Sequence, residues 1–263
     1  MKDIPCTHAP PIVVSLSSFG ATEVRRHGQS WFIDLAIAAG ATGVEVRSEL
    51  LRQSTAELAQ MAAICKGMHT VYSCAEPLFS PAGKLMETSV DTALNHATLL
   101  DAQVVKFSIG SGARASEHQL RQLQRQLQGH SATVLVENDQ SEAAGTIKAL
   151  QHFLTQAAHS GLDLQMTFDI GNWHWTGECP WVAADRFKGR IAYVHTKGVL
   201  RQPQRWIAVP LADSEAPWRT VLSAMPADCP WAIEYPLLGD DLLAVTRDAI
   251  GHLHTIRGGT YVN

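Results

Sequence analysis

Short β-branched segments alternate with longer helical segments eight times along this chain of 263 residues. The predicted strands cover residues 12–19, 43–47, 70–74, 104–110, 133–139, 165–171, 191–197 and 231–235. Strands separated by helices form parallel sheets, either as a closed barrel or as a doubly wound open sheet. Eight repeats favour the barrel. Because one barrel uses the whole length, we expect a single α/β domain over residues 1–263, a (β/α)8 TIM barrel.

The segments between the predicted strands have the spacing of amphipathic helices. In residues 30–39, for example, Phe32, Leu35, Ala36 and Ala39 fall on one helical face. The predicted helices cover residues 30–39, 54–66, 85–100, 116–128, 142–159, 181–187, 216–224 and 240–256. No linker rich in Pro, Gly or Ser separates them, so we expect no domain boundary.

The composition indicates a globular protein and gives no sign of a nucleic-acid or membrane partner. The chain is 46% hydrophobic and 17% charged, with a net charge of -4. A negative chain does not attract phosphate backbones or anionic lipid. The five cysteines are an odd number without a CxxC pair, which is typical of thiols in a reducing compartment. With no signal peptide or spanning segment visible, we expect a cytoplasmic protein.

Four polar residues follow mainly apolar triplets in the last four predicted strands. They are Glu137, Asp169, His195 and Glu234. Catalytic groups of TIM barrels lie at the carboxyl ends of the strands, where these four residues fall. Three carboxylates converging without a cation would repel one another. The set therefore predicts a site for one divalent ion, with Mn²⁺, Mg²⁺ or Co²⁺ favoured and Zn²⁺ also compatible.

With these residues in place, the chain resembles the xylose isomerase-like TIM-barrel superfamily, the sugar-phosphate isomerase/epimerase group. The resemblance covers nearly the whole chain. It rests on the segments GVEVR at 43–47, VEN at 136–138, FDIGN at 168–172 with Gly177 and Pro180, VHTK at 194–197, VPL at 209–211 and IEY at 233–235. Within the group, the chain looks like the epimerases associated with 2-ketogluconate use in bacteria.

The resemblance implies specific roles for the four residues. Glu137, Asp169, His195 and Glu234 match the divalent-metal ligands of the family. Glu137 and Glu234 also match the catalytic pair that transfers protons in its ketose 3-epimerases. The implied reaction removes a proton next to a carbonyl and passes through a metal-stabilised enediolate. The implied substrate is a sugar, a sugar phosphate or a keto-sugar acid.

Departures from the family pattern lie where substrate would be chosen. The usual His-Leu-Lys-Asp of strand seven reads His-Thr-Lys-Gly at 195–198, and the usual Gly-Glu-Gly after the VPL segment reads Ala-Asp-Ser at 212–214. Many epimerases of the group have a substrate-binding histidine where this chain has Asn172. These changes leave the metal site intact and the substrate open.

Six further residues are candidates for substrate binding: Glu45, Lys106, Asn172, His174, Lys197 and Arg205. The two lysines could neutralise an enediolate or bind a carboxylate or phosphate, and Arg205 lies in the long loop after strand seven. His174 could bind a hydroxyl group. Glu45 has an alternative role, in which it only pairs with Arg47 or Lys106.

Other functions remain open on the same fold. A metal-dependent dehydratase of polyols or keto-inositols would share the first proton abstraction. An abasic-site endonuclease would need further metal ligands and a basic surface, which the net charge of -4 argues against. A non-catalytic sugar-binding relative is the alternative of another class. A homo-oligomer is also compatible with this sequence.

Overall fold

Eight parallel strands close into a barrel in the computed structural model, which describes residues 9–52 and 54–258. The barrel strands are β1 Ile12–Ser15, β2 Gly43–Arg47, β3 His69–Ser73, β4 Val104–Ser108, β5 Thr133–Glu137, β6 Gln165–Asp169, β7 Ile191–Thr196 and β10 Trp231–Ile233. Neighbours follow the chain order around the barrel, and β10 closes it against β1. The predicted (β/α)8 barrel is confirmed.

The helices form the outer layer of the fold. They are α1 Ala21–His27, α2 Gln29–Ala39, α3 Ser54–Ile64, α4 Glu87–Leu100, α5 Glu117–Leu127, α6 Glu142–Gly145, α7 Ile147–His159, α8 Pro180–Phe187, α9 Trp218–Ser223 and α10 Leu242–Gly258. Their apolar faces and the outward faces of the strands make one large buried core. Within the described residues, no helix has both the length and the apolar character needed to cross a bilayer.

The first predicted strand is too long. The ladder ends at Ser15, which is the last residue paired with β2, and residues Leu16–Phe19 form a 3₁₀ turn. The turn is closed by a hydrogen bond from Gly20 N to the carbonyl of Ser17. Residues 12–19 contain enough apolar side chains to look like one strand, but after Ser15 local turn bonds replace the pairing with β2.

The helix predicted over residues 142–159 is two helices. Thr146 lies between them and accepts a hydrogen bond from Ala149 N, so it caps α7. Gly145 comes so close to strand five's loop that a Cβ there would lie 2.0 Å from the carbonyl oxygen of Asp139. The chain can therefore come this close to the Asp139 backbone only because residue 145 lacks a side chain.

The long loop predicted after strand seven contains an antiparallel hairpin. Its strands are β8 Gly198–Arg201 and β9 Trp206–Val209, and they pair with each other rather than with the barrel. Helix α1 was also absent from the prediction. All three elements are short, and β9 is half-buried along its length. None of them therefore has a clear periodic pattern of apolar residues.

The interior of the barrel has an apolar layer beneath a polar one. The buried apolar cluster inside the barrel comprises Val13, Val71, Val104, Leu135, Tyr193 and Ala232. One step further along the strands, the buried side chains include Glu45, Lys106 and His195. Charged groups in such a position need partners, since an unpaired buried charge is costly. The apolar cluster thus forms the floor of a charged site.

Candidate metal centre

The four residues that the sequence singled out come together at the carboxyl end of the barrel. Glu137 and Asp169 end β5 and β6, His195 is the penultimate residue of β7, and Glu234 directly follows β10. These strands are neighbours in the barrel, so their ends meet. One ligand atom from each residue lies within 4.8 Å of all the others. Asp169 and His195 are fully buried, whereas the two glutamates are partly exposed.

The ring nitrogen Nδ1 of His195 lies at the centre of this quartet. It is 2.9 Å from Glu234 Oε2, 3.1 Å from Glu137 Oε1 and 3.8 Å from Asp169 Oδ2. Although it is buried, Nδ1 has no aligned hydrogen-bond partner among the described residues. A buried ring nitrogen facing three carboxylate oxygens has the surroundings of a metal ligand.

The distances and donor types fit one divalent ion. Ligands held ~2.1 Å from a metal lie about 3.0 Å apart when adjacent and about 4.2 Å apart when opposite. The distances from His195 Nδ1 to the three carboxylates, 2.9, 3.1 and 3.8 Å, lie close to this range, and the four ligand atoms are all within 4.8 Å of one another. Three carboxylates and one imidazole suit Mn²⁺, Mg²⁺ or Co²⁺, and Zn²⁺ also accepts such ligands. The residues present therefore fit the predicted cofactor.

Glu45 holds the opposite side of the His195 ring. His195 Nε2 lies 2.8 Å from Glu45 Oε2, and Tyr193 OH donates to the same oxygen at 3.1 Å. The other oxygen accepts from Ser15 Oγ at 3.2 Å and from Arg47 Nη1 at 3.0 Å. With a carboxylate at Nε2, that nitrogen keeps its proton and Nδ1 is the one free to bind a metal.

These contacts bear on the predicted substrate role of Glu45. The side chain is 0% exposed and every oxygen has donors, including Lys106 Nζ at 3.3 Å. Glu45 forms ion pairs with both Arg47 and Lys106, which is the alternative role predicted for it from the sequence. The geometry favours a residue that positions His195, while its binding of substrate stays a prediction.

Lys106 reaches the quartet from β4. Its ammonium group donates to Glu137 Oε2 at 2.8 Å, and the lysine is 1% exposed. Burial opposes its charge, but Glu137 and Glu45 outweigh burial and raise the pKa of Lys106 above its ordinary value. Lys106 is thus a buried, permanent cation against one of the predicted catalytic glutamates.

Arg47 is a site residue to which the sequence reasoning gave no role of its own. Its Nη1 contacts Glu45 Oε1 and Glu234 Oε1, each at 3.0 Å, and its Nε contacts Glu49 Oε1 at 3.0 Å. The signal available in the sequence was its position two residues after Glu45, which puts both side chains on the same face of β2. Arg47 therefore links the interior carboxylate to the predicted base Glu234.

Lys197, the residue that follows β7, also contacts the quartet. Its Nζ lies 2.7 Å from Asp169 Oδ2 and 2.8 Å from Glu234 Oε2, and it donates to Asn172 Oδ1 at 3.1 Å. Burial opposes its charge, but Asp169 and Glu234 raise the pKa of Lys197 well above its ordinary value. The ammonium group is thus held between two of the candidate metal ligands.

The cations and His195 keep both glutamates ionised. Burial alone would favour protonation of Glu137, but Lys106 and His195 hold its pKa below the ordinary value. Burial acts in the same sense on Glu234, and His195 and Lys197 hold its pKa well below the ordinary value. Both carboxylates are therefore in the ionised form that a general base requires.

The loop after β6 is fixed by paired amides. Asn138 donates to the carbonyl of Asp169 and accepts from its N–H, both at 2.9 Å. Asp169 Oδ1 accepts from Gly171 N at 2.8 Å and Asn172 N at 2.9 Å, so Oδ2 is the oxygen left for the quartet. Asn138 was missed as a positioning residue, although its place directly after Glu137 was the available signal.

The side-chain amide of Asn172 is hydrogen-bonded through both its nitrogen and its oxygen. Its Nδ2 donates to the carbonyl of Asn138 at 2.9 Å, and its Oδ1 accepts from Gln140 and Lys197, each at 3.1 Å. The residue is 5% exposed. These bonds shape the loop around Asp169, and contact between Asn172 and a substrate stays a prediction.

His174 and Arg205 lie at the hairpin side of the barrel mouth. The ring of His174 is 5.1 Å from that of Trp206 on β9, and burial lowers the pKa of His174. A neutral imidazole can donate to or accept from a hydroxyl group. Arg205 is exposed in the hairpin turn, where its Nε contacts Gln202 Oε1 at 3.4 Å. The substrate roles of both residues stay predictions.

The four described cysteines are unpaired, as expected for a chain without disulfides. Cys65 and Cys229 are buried, Cys74 is partly buried and Cys179 is exposed. Burial raises the pKa of Cys65, Cys74 and Cys229 to about 11 in each case, so these thiols stay protonated. Cys6 lies outside the described residues.

No protein-family model matches the sequence, and no curated protein matches it either. Solved structures do match. D-psicose 3-epimerase with D-tagatose, from Clostridium cellulolyticum H10, has a TM-score of 0.69 at 12% identity over 94% of this chain and 99% of that one. The probable 3-DHS dehydratase AsbF of Bacillus anthracis has a TM-score of 0.69 at 14% identity over 93% of this chain and 98% of that one.

The chain has the xylose isomerase-like TIM-barrel fold. A xylose isomerase-like TIM barrel/4-hydroxyphenylpyruvate dioxygenase fusion protein matches with a TM-score of 0.70 at 14% identity over 95% of this chain. The chain spans 43% of that fusion protein's length. The predicted resemblance is thus confirmed at the level of the xylose isomerase-like fold, and the link to 2-ketogluconate use stays a prediction.

Proposed function

We propose that this protein is a divalent-metal-dependent isomerase or epimerase of a sugar, a sugar phosphate or a keto-sugar acid. The observation that carries the proposal is the quartet of Glu137, Asp169, His195 and Glu234 around one buried ring nitrogen. Its place at the carboxyl end of the barrel is where enzymes of this fold class carry their active sites. The similarity to the fold of a sugar epimerase supports the proposal.

The metal would be held by the three carboxylates and by Nδ1 of His195. When bound, it would polarise the carbonyl next to the reacting C–H bond and stabilise the negative charge that develops there. Glu45 contributes by keeping the proton on Nε2 of His195. Asn138 contributes by fixing the backbone of Asp169 through hydrogen bonds to both its N–H and its carbonyl.

Glu137 and Glu234 act as the proton-transfer pair in this proposal. They come from the two outer members of the four neighbouring strands, so they approach the site from opposite sides of Asp169 and His195. Each has one oxygen toward His195 Nδ1 and the other against a cation, Lys106 or Arg47. One glutamate removes the proton from one face of the substrate, and the other returns it to the opposite face.

The place where the proton returns decides the reaction. Return to the same carbon from the opposite face gives epimerisation, whereas return to the neighbouring carbon gives aldose–ketose isomerisation. We further assign substrate contacts to Lys106, Lys197, His174, Asn172 and Arg205, with Glu45 held as a positioning residue. We expect a small-molecule substrate, and we place the enzyme in the cytoplasm, with a homo-oligomer as an open alternative.

The experiment that tests the proposal is deuterium uptake from solvent. Ketoses, aldoses, keto-acids and their phosphates are incubated with the protein and Mn²⁺ in deuterated water, and each product is analysed by mass. We expect exchange of one substrate C–H bond that is lost in the Glu137→Gln and Glu234→Gln variants. The exposed Glu117→Gln variant is the control and should keep full activity. Exchange that survives in the Glu137→Gln, Glu234→Gln double variant would refute the proposal.

A metal-dependent dehydratase is the second candidate, favoured by the similarity to the probable 3-DHS dehydratase. It would use the same first proton abstraction and then eliminate water. The mass of the product separates the two reactions, because a dehydratase product is lighter by one water molecule. A sugar-binding relative without catalysis would bind ligand and show no exchange at all.

A further inference from the structure

The ammonium group of Lys197 forms ion pairs with two of the candidate metal ligands at once. It is 2.7 Å from Asp169 Oδ2 and 2.8 Å from Glu234 Oε2. These two atoms also face Nδ1 of His195, at 3.8 and 2.9 Å. The same two oxygens would therefore serve both the lysine and a divalent ion.

The other buried lysine is placed differently. Lys106 pairs with only one quartet member, Glu137, and its second carboxylate is the interior residue Glu45. Lys106 is 1% exposed, whereas Lys197 is 7% exposed and has a third partner in Asn172. Lys197 thus lies nearer the open side of the site, and it keeps one hydrogen-bond partner, the Asn172 amide oxygen, when a second cation shares its two carboxylates.

Two positive charges sharing one pair of carboxylates repel each other. A unit charge and a divalent ion ~4 Å apart interact by several kcal/mol even at the intermediate dielectric typical of protein sites. Binding of the metal must therefore weaken the ion pairs of Lys197, and the ion pairs of Lys197 must weaken the binding of the metal. This reciprocity follows from linkage.

We propose that Lys197 is the exchangeable counter-ion of this site. In the metal-free protein its ammonium group balances Asp169 and Glu234, and the divalent ion takes over these oxygens when it binds. The released ammonium group, still bonded to Asn172, is then available to an oxygen atom of the substrate. This inference rests on the metal site of the proposed function.

The first test measures Mn²⁺ affinity by electron paramagnetic resonance in the full chain. Lys197→Met keeps the length of the side chain and removes its charge. We expect it to bind Mn²⁺ at least about tenfold more tightly than the wild type. The control is Lys188→Met on the surface, where the lysine pairs with the exposed Asp185, and its affinity should equal that of the wild type.

The outcomes separate this inference from the proposed function. If the wild type binds Mn²⁺ and Lys197→Met binds it equally or more weakly, the inference is wrong and the metal site stands. If neither protein binds Mn²⁺, the metal site of the proposed function is wrong. Should Lys197→Met fail to fold, Lys197→Gln replaces it, because glutamine is neutral and can still hydrogen-bond to Asn172. The same tightening is expected.

The second test follows the ammonium group itself in the wild type. With ¹⁵N-labelled lysine, buried ammonium groups held by carboxylates exchange slowly with water and give resolved Nζ signals. We expect saturating Mg²⁺ to shift or broaden the Lys197 signal and to leave that of Lys106 in place, with assignments from the Lys197→Met spectrum. A Lys197 signal that is unchanged at saturation would overturn the proposal.

Discussion

Replacing Glu45 by glutamine would remove the buried negative charge that Arg47, Lys106 and His195 contact. Glu45 is 0% exposed, and its carboxylate is contacted by Arg47 Nη1 at 3.0 Å, His195 Nε2 at 2.8 Å and Lys106 Nζ at 3.3 Å. Removing one partner of a buried charge network typically costs ~3–5 kcal/mol, because the remaining charges lose their compensation. We expect Glu45→Gln to destabilise the protein by this amount.

The same change should weaken metal binding. A glutamine can present its NH₂ group to His195 Nε2, and the ring then no longer keeps its proton on that nitrogen. Loss of such an orienting partner typically costs 10–100-fold in metal affinity. Urea unfolding without metal measures the first effect, and a Mn²⁺ titration of the folded variant measures the second.

Glu49→Gln is the matched control, since Glu49 lies close along the chain and also pairs with Arg47. Its side chain is 33% exposed, so the pair is partly solvated and worth ~0–1 kcal/mol. If Glu45→Gln lost no more stability than Glu49→Gln and bound Mn²⁺ as tightly as the wild type, the argument that Glu45 anchors the site would be refuted.

Three further predictions concern metal binding and the barrel wall. Burial lowers the pKa of His195, but Glu234 and the other carboxylates raise it well above its ordinary value, so the metal-free ring holds its second proton more tightly than a free imidazole does. Mn²⁺ should then release about one proton on binding and bind more tightly as the pH rises; equal calorimetric heats in buffers of different ionisation enthalpy would contradict this. Mn²⁺ at 100 times its Kd should stabilise the wild type by ~2.7 kcal/mol in thermal unfolding, an effect that Asp169→Asn should lose and EDTA should reverse. Gly145→Ala should destabilise by ~1–3 kcal/mol in urea, because its Cβ would meet the Asp139 carbonyl at 2.0 Å, whereas Gly251→Ala in α10 meets nothing within 4 Å and should be neutral or stabilising.

The sequence by itself determined the barrel and the four metal-site candidates. Strand β2 was predicted over the residues where it occurs, and the count of eight barrel strands was right. Glu137, Asp169, His195 and Glu234 could be found because each directly follows apolar strand residues, and strand ends in a parallel barrel meet at one face. These features depend on periodicity along the chain, so the sequence of each segment is sufficient to predict them.

The predicted bounds of helices and strands were wrong where a contact with another part of the chain determines where the element ends. Residues 142–159 have a continuous helical pattern, and only the approach of Gly145 to the Asp139 backbone shows why the helix breaks. Residues 12–19 look like one strand, and only the end of pairing with β2 shows where the strand stops. The hairpin after β7 has no periodic pattern strong enough to predict.

Only the tertiary structure decided how the charges of the site are paired. Arg47 and Glu234 are 187 residues apart in sequence, and Glu45 and His195 are 150 apart, yet each pair is in direct contact. The sequence identified Lys197 as a candidate substrate-binding residue. It gave no sign that its ammonium group lies between Asp169 and Glu234. A strand pattern states which face a side chain occupies, whereas the closure of the barrel brings strands from both ends of the chain together. The identity of each charge partner follows from that closure.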